Sequence, residues 1–395
     1  MNRRKADQRF WQTPFHPRTA AACETNEWYP WKNYTSVNVY TSAEQEYFSL
    51  RNAAGLIDLT PMTKYRITGP DGLAYLDRLV TRRLDKLQPG RVSYCVWCDD
   101  AGHVLDDGTV FSLGDNQWRL CSQERHLDWL LWSAVGFDVE IVEETDEVAA
   151  LALQGPTSCR VLKNLGLEDV ENLKPFQLRQ FTLDGMTLTV SRTGFTGDLG
   201  YELWLDPDRA LDIWDRLMEA GRDLGIRIVG THALEIARIE AGFIQAGVDF
   251  VPAGQTVRPD RARSPFELGL GWLVHLDKPV FNGRSALLEE QARGARYRLV
   301  KLDVEGNKPA TDSFIYSGQR KVVGHVTSAV WSPSAKTNIA IASLDMPWGR
   351  SSDTLFAEVY YNRELRWNRL MARCTLVDGP FFAPPRRRQT PAPDY

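Results

Sequence analysis

The chain has 395 residues, 43% of them hydrophobic and 25% charged, with a net charge of −4. That length supports two or three domains of ordinary globular balance, and the charge argues against a nucleic-acid or membrane surface. No apolar run reaches membrane-spanning length, no apolar h-region follows the basic start Met1-Asn2-Arg3-Arg4-Lys5, and six cysteines make no disulfide framework, which together point to a reducing, cytoplasmic setting.

Residues 1–40 are polar, aromatic and interrupted by proline, and read as an arm draped over the body. Thr41-x-x-Glu44 is a capping box that opens a helix to about residue 52. Residues 65–68 alternate as a strand. The turn Gly69-Pro70-Asp71-Gly72 follows, with Asp71 placed to cap a helix carrying Leu73, Leu76, Leu79 and Val80. Strands are expected at 92–98, 103–112 and 117–122, a helix near 124–134, a strand at 148–154 and a helix at 156–165. Strands at 180–183, 186–192 and 201–205 precede a helix at 208–222 and another after Thr231. These β-α-β-β-α-β successions give an α+β fold with two ferredoxin-like units interleaved over 41–295. Residues 252–263 form a polar loop. From Tyr297 strands predominate, as in a small antiparallel β-barrel over 296–380, and the Arg-rich tail 381–395 reads as disordered. No internal repeat shows in the sequence itself.

The run Arg192-Thr193-Gly194-Phe195-Thr196-Gly197-Asp198-Leu199-Gly200-Tyr201 is a tight turn in which backbone can approach a ligand. Glu202 then starts a strand, where a carboxylate can accept two parallel N–H bonds from a planar aminopyrimidine-type ring. Asp106 and Asp107 are strand neighbours, so one faces a pocket and the other faces out. Arg238 lies two residues before Glu240, on a different helix face. Cys95 and Cys98 are a lone CxxC on opposite strand faces, the six histidines are dispersed, and no metal site or Gly-x-Gly-x-x-Gly fingerprint is read.

The turn closely resembles the Thr-Gly-Tyr-Thr-Gly-Glu-x-Gly-Tyr-Glu run of the aminomethyltransferase (glycine cleavage T-protein) superfamily. Further matches follow in order. They are Ala54-Gly55-Leu56-Ile57-Asp58-Leu59, Tyr94 with Gly102-His103-Val104-Leu105-Asp106-Asp107, Leu153-Gln154-Gly155-Pro156, Ala237-Arg238-Ile239-Glu240-Ala241-Gly242, Ser264-Pro265 with Leu270-Gly271-Trp272, and the stretch from Gly324 to Pro333. The resemblance implies tetrahydrofolate as cofactor and transfer of a one-carbon unit to it. It also implies roles. Asp107 acts as electrostatic or acid–base residue, Glu202 fixes the pterin ring, and Arg238 binds a carboxylate of the folate tail. Tyr94, Phe176, Phe195 and Trp272 line the ring walls.

Three stretches depart from the T-protein pattern: Asp58-Leu59-Thr60-Pro61-Met62, Ala233-Leu234-Glu235 and Gln245-Ala246-Gly247-Val248-Asp249. They leave the folate residues in place, so the chain looks nearer the tetrahydrofolate-dependent demethylases such as dimethylsulfoniopropionate demethylase. The expected function is then demethylation of a small methylated S-, N- or O-compound. The alternatives are a glycine cleavage aminomethyltransferase served by a lipoyl carrier protein, and a non-catalytic folate-binding accessory protein. The Lys-Gly-Cys-Tyr-x-Gly-Gln-Glu motif of that last branch is absent.

Overall fold

Two largely antiparallel sheets with nearly the same connectivity, packed against each other, position everything that follows. A computed structural model describes residues 10–318, 320–389 and 391. The first unit runs strand Thr63–Thr68, helix Gly72–Leu79, strands Val92–Cys98, Val104–Gly114 and Gln117–Ser122, helix Leu127–Ser133, strand Glu140–Glu143. The second runs Ala149–Gln154, helix Ser158–Asn164, Leu178–Leu183, Met186–Ser191, Gly200–Leu205, helix Ala210–Ala220, Arg227–Ile228. Each unit therefore has three strands between its helices, one more than the ferredoxin-like succession. In space the three form a meander, and the unit's own first strand lies beside the third.

The units are interleaved by one early strand. Gly55–Asp58 leaves the first part of the chain and lies in the second sheet, antiparallel to Ala149–Gln154 and parallel to Arg227–Ile228. The helices cover the outer faces: Leu162, Ile213 and Leu217 on the second sheet, Leu76, Leu79 and Leu130 on the first. Between the sheets sits a shared core in which Phe111 meets Trp204 edge to face at 5.0 Å. Tyr297–Val304, Phe314–Ser317, Lys321–Ser332, Thr337–Asp345, Leu355–Arg363 and Arg366–Leu376 close into a six-stranded antiparallel barrel, in line with the run of strands expected from Tyr297.

Four local expectations change. The N-cap of helix Ala43–Asn52 is Ser42, not Thr41; its side chain takes the Gln45 N–H, because Ser42-x-x-Gln45 also satisfies the capping-box pattern. Asp71 does not cap its helix; Asp71 Oδ2 instead accepts the Asp138 N–H at 2.9 Å. The described part of the arm is regular. Helix His16–Ala22 and hairpin Glu27–Trp31/Tyr34–Val39 anchor it through Phe15, fully buried against Trp214, and through Thr13 on Asp58. The tail over 381–389 is placed, not disordered: Phe382 lies on the Arg51 guanidinium at 4.3 Å, and Arg386 forks onto Asp198 at 2.6 and 2.8 Å. Residues 390 and 392–395 lie outside the described residues.

Gly108, next to Asp107, has no room for a side chain. A Cβ there would stand 2.0 Å from the Cys121 carbonyl oxygen on the paired strand. Gly108→Ala is expected to cost about 1–3 kcal/mol, read as a lower urea midpoint at unchanged m-value.

Candidate functional site

Asp107 and Tyr94 meet as the spacing suggests. Tyr94 Oη donates to Asp107 Oδ2 at 2.7 Å across neighbouring strands. Burial is the first cause pushing the Asp107 carboxyl up, to about 7, and the charge of Asp106 is the second. Tyr94 opposes the shift by donating to the ionised form. Asp106 does not face out. Its side chain is fully buried and accepts the N–H of Asp107 and of Glu124, because both faces of this sheet are covered here.

On the other side of Tyr94 stands Trp272, with ring centroids 6.2 Å apart and 61% of Trp272 exposed. Arg82, which no sequence motif marks, lies 5.8 Å over the Trp272 ring and donates to the Tyr94 carbonyl at 3.1 Å. Its only signal in the sequence is a basic pair, Arg82-Arg83, at the end of a helix, which reads as a solvated terminus.

Phe176 bridges the two sheets. Its N–H donates to the Arg192 carbonyl and its carbonyl accepts the Val92 N–H, two residues from Tyr94. The backbone adopts φ 59°, in the left-handed region that aromatic residues rarely enter, and the ring is left 44% exposed. Beside it, Thr193 Oγ1 donates to Glu202 Oε2. Glu202 is 9% exposed, and its carboxyl is pushed up to about 7 by burial, with the Thr193 bond opposing. No cation neutralises it among the described residues, and Oε1 carries no hydrogen bond there. A buried carboxylate with one free oxygen and no counter-ion suits a ligand that brings its own N–H donors.

The glycines of the turn answer to packing rather than to ligand approach. A Cβ on Gly194 or Gly200 would fall 2.1 or 2.2 Å from the Gln154 side chain. Gln154 ties the turn together, donating to the Thr193 and Tyr201 carbonyls and accepting from Thr196 Oγ1 at 2.9 Å. Gly197, at φ 72°, lies against Ala241 of helix Thr231–Ala241.

Phe195 stacks on Phe243 at 5.6 Å, and Arg387 of the tail lies over Phe243 at 5.3 Å. Arg238 reaches the same region but is not open. It is fully buried and donates to both oxygens of Glu235, to Asp249 Oδ2 at 2.6 Å, to Ser328 Oγ at 2.7 Å and to the Phe243 carbonyl. Two carboxylates of the protein thus hold the place that the resemblance gives to a folate carboxylate. Glu235 and Asp249 belong to two separate departures in sequence, yet they meet on one guanidinium. The remaining departure, Thr60-Pro61-Met62, caps the buried Lys64 ammonium, which donates to the Thr60 and Met62 carbonyls.

Comparison with known proteins gives a consistent picture. Residues 15–278 match the GCVT N-terminal domain and residues 298–382 the glycine cleavage T-protein C-terminal barrel domain. The aminomethyltransferase of Halothermothrix orenii is 34% identical over 306 residues, 76% of this chain and 83% of that one. That of Bacillus subtilis is 32% identical over 350 residues, covering 87% and 91%. In structure, the glycine cleavage system aminomethyltransferase T from Bartonella henselae superposes with a TM-score of 0.82 at 22% identity, over 95% of this chain and 98% of that one.

Proposed function

Because this chain belongs to the glycine cleavage T-protein family, whose members use tetrahydrofolate as the one-carbon acceptor, we propose that it is an aminomethyltransferase that works on a lipoyl carrier protein and releases ammonia. The observation that carries the proposal is Asp107, a half-buried carboxyl held near neutrality and gripped by Tyr94. An amine leaving its carbon needs a proton. A carboxyl titrating near 7 holds that proton at neutral pH and still gives it up, whereas one near 4 does not. Tetrahydrofolate, when bound, supplies the nitrogen that accepts the one-carbon unit.

The residues present fit that group. Glu202 would take the N–H donors of the pterin through its free oxygen, with Phe176, Tyr94 and Trp272 as walls. Phe195 lies farther along, stacked on Phe243. Arg238 is left out, its donors being used inside the protein. Three of the departures behind the demethylase reading hold the interior together in this structure: two on Arg238, one on Lys64. The curated relatives at 30–34% identity bear the name aminomethyltransferase.

The deciding experiment supplies tetrahydrofolate with an aminomethyl-loaded lipoyl carrier protein and measures ammonia release. Methylated sulfonium, betaine and methoxyaryl compounds are run in parallel. Carrier-dependent ammonia is the expected result. 5-Methyltetrahydrofolate formed from a small donor without carrier would replace this reading by the demethylase, and folate binding with no product from any donor would leave the accessory role.

Glu202→Gln keeps the shape but replaces one carboxylate oxygen by an NH2 donor and removes the charge, so the one remaining oxygen cannot serve both Thr193 and a ring N–H. It is expected to weaken tetrahydrofolate binding by roughly tenfold or more, the worth of a hydrogen bond to a charged group, by calorimetry. It also changes stability with pH. The Glu202 carboxyl is raised from 4.5 to about 7 on folding, so the wild type loses stability as pH rises through that interval. The variant is expected to lose less between pH 5 and about 7 in urea titrations.

A further inference from the structure

Asp106 has no part in the proposed chemistry, yet it is the most enclosed carboxylate beside it. Its Oδ1 accepts the Asp107 N–H at 2.9 Å, and its Oδ2 accepts the Glu124 N–H at 2.7 Å and lies 3.2 Å from His126 Nε2. His126 is fixed in turn. Its backbone N–H donates to Tyr65 Oη at 2.7 Å, its ring meets Trp97 edge-on at 5.9 Å, and its side chain is 9% exposed. We propose that His126 is a positioning residue for Asp107, acting through Asp106 to fix the peptide that carries the Asp107 carboxylate and to keep a negative charge beside it. The proposal deepens, and rests on, the reading of Asp107 as the acid–base group.

Two physical links support it. Asp106 Oδ1 binds the Asp107 N–H, so the backbone from which the Asp107 side chain hangs cannot turn without breaking that bond. And a fully buried carboxylate tends to take up a proton unless donors hold it ionised. The donors to Asp106 among the described residues are two peptide N–H groups and His126, the only side chain among them. After burial, an ionised Asp106 is the next cause that disfavours ionisation of Asp107.

The other titratable groups facing this cluster come from five elements. Tyr94 on Val92–Cys98 donates to Asp107. Tyr65 on Thr63–Thr68 holds His126, with Glu143 of the neighbouring strand and Arg125 of the preceding loop acting on its hydroxyl. Asp249 acts on Asp107 from its loop, already paired with Arg238. None of them donates to the Asp106 side chain, so nothing in place substitutes for His126.

The test uses the full chain with ¹³C-labelled aspartate, following the Asp107 carboxyl against pH without ligand, and the pH profile of kcat/KM with the carrier. In His126→Phe the Asp107 midpoint is expected to fall by about one pH unit, the usual effect of losing a neighbouring like charge, and the rate profile to move with it. His126→Gln, whose amide N–H reaches the same oxygen, is expected to stay near the wild-type midpoint. Asp106→Asn removes the charge directly; it should reproduce the fall and leave no further shift when His126→Phe is added. An unmoved midpoint in both His126→Phe and Asp106→Asn overturns the proposal, as does an equal fall in His126→Gln and His126→Phe. A stability loss with an unmoved midpoint means a purely structural histidine. A moved midpoint with an unmoved rate profile upholds the coupling and removes Asp107 from the acid–base role instead.

Discussion

Asp107→Asn is expected to lower kcat/KM for one-carbon transfer by about 10²–10⁴-fold, the span that a positioned acid–base group contributes. Tetrahydrofolate affinity should stay within a few-fold, because ring recognition is assigned to Glu202 and the aromatic walls. The amide keeps the Tyr94 contact by offering its carbonyl oxygen to Tyr94 Oη, so the loss reports the missing proton and not a collapsed site. The pH profile separates the two further. The wild type should show a limb near pH 7, where burial and Asp106 place the Asp107 carboxyl, and the variant should lack it. Steady-state ammonia release across pH 5.5 to about 8.5 reads both quantities. A variant that retains wild-type kcat/KM would remove Asp107 from the chemistry altogether.

Arg238→Ala is expected to give the largest stability loss, about 3–5 kcal/mol, because it leaves the buried Asp249 carboxylate without its cation. Asp249 would keep only hydroxyl and peptide donors, from Thr327, Ser328 and Gln245. Those bonds tie the 245–249 loop to barrel strand Lys321–Ser332, so the loss should show as a lower denaturation midpoint for the whole chain. Urea unfolding checks the magnitude. Tetrahydrofolate titration of the folded variant checks the role: an Arg that binds the folate tail would lose affinity far beyond what the stability change explains, and an Arg consumed by Glu235 and Asp249 would not.

These two residues also mark where the sequence is readable. Asp107 is singled out by the family resemblance, and the thirteen-residue spacing to Tyr94, which the resemblance also carries, agrees with the hairpin register that brings the two together. For Glu202 the turn and the strand start are local events that the sequence shows, while its role comes from the family resemblance. Arg238 could not, since Glu235 is visible as an i−3 neighbour but Asp249 arrives from a loop whose path no periodicity encodes. Alternation told which residues of Val104–Gly114 oppose each other, but not that both faces of that sheet are covered, so Asp106 was expected outside. The tail failed for a compositional reason. Pro-Pro-Arg-Arg-Arg lacks apolar residues to bury, and what holds it is a carboxylate, Asp198, far away in the chain. Glycines in the Arg192–Tyr201 run were legible as a turn, while their actual neighbour, the Gln154 side chain, was not.

The early strand Gly55–Asp58 has a consequence during synthesis. Its partners Ala149–Gln154 and Arg227–Ile228 do not yet exist when it leaves the ribosome. At ~5–20 residues per second the chain must lengthen for roughly ten to thirty seconds before the far partner is made. Both edges of this apolar strand stay unpaired until Ala149–Gln154 is made, by which point the first sheet has all its own strands, and one edge stays open until Arg227–Ile228 follows. Nascent chains that stall between residues 143 and 149 therefore carry all the strands of the first sheet and an orphan strand, a state that invites chaperone capture or strand exchange between copies. For the same reason, cutting the gene between the two sheets cannot yield two independent halves: whichever fragment keeps residues 55–58 owns a strand that belongs to the other.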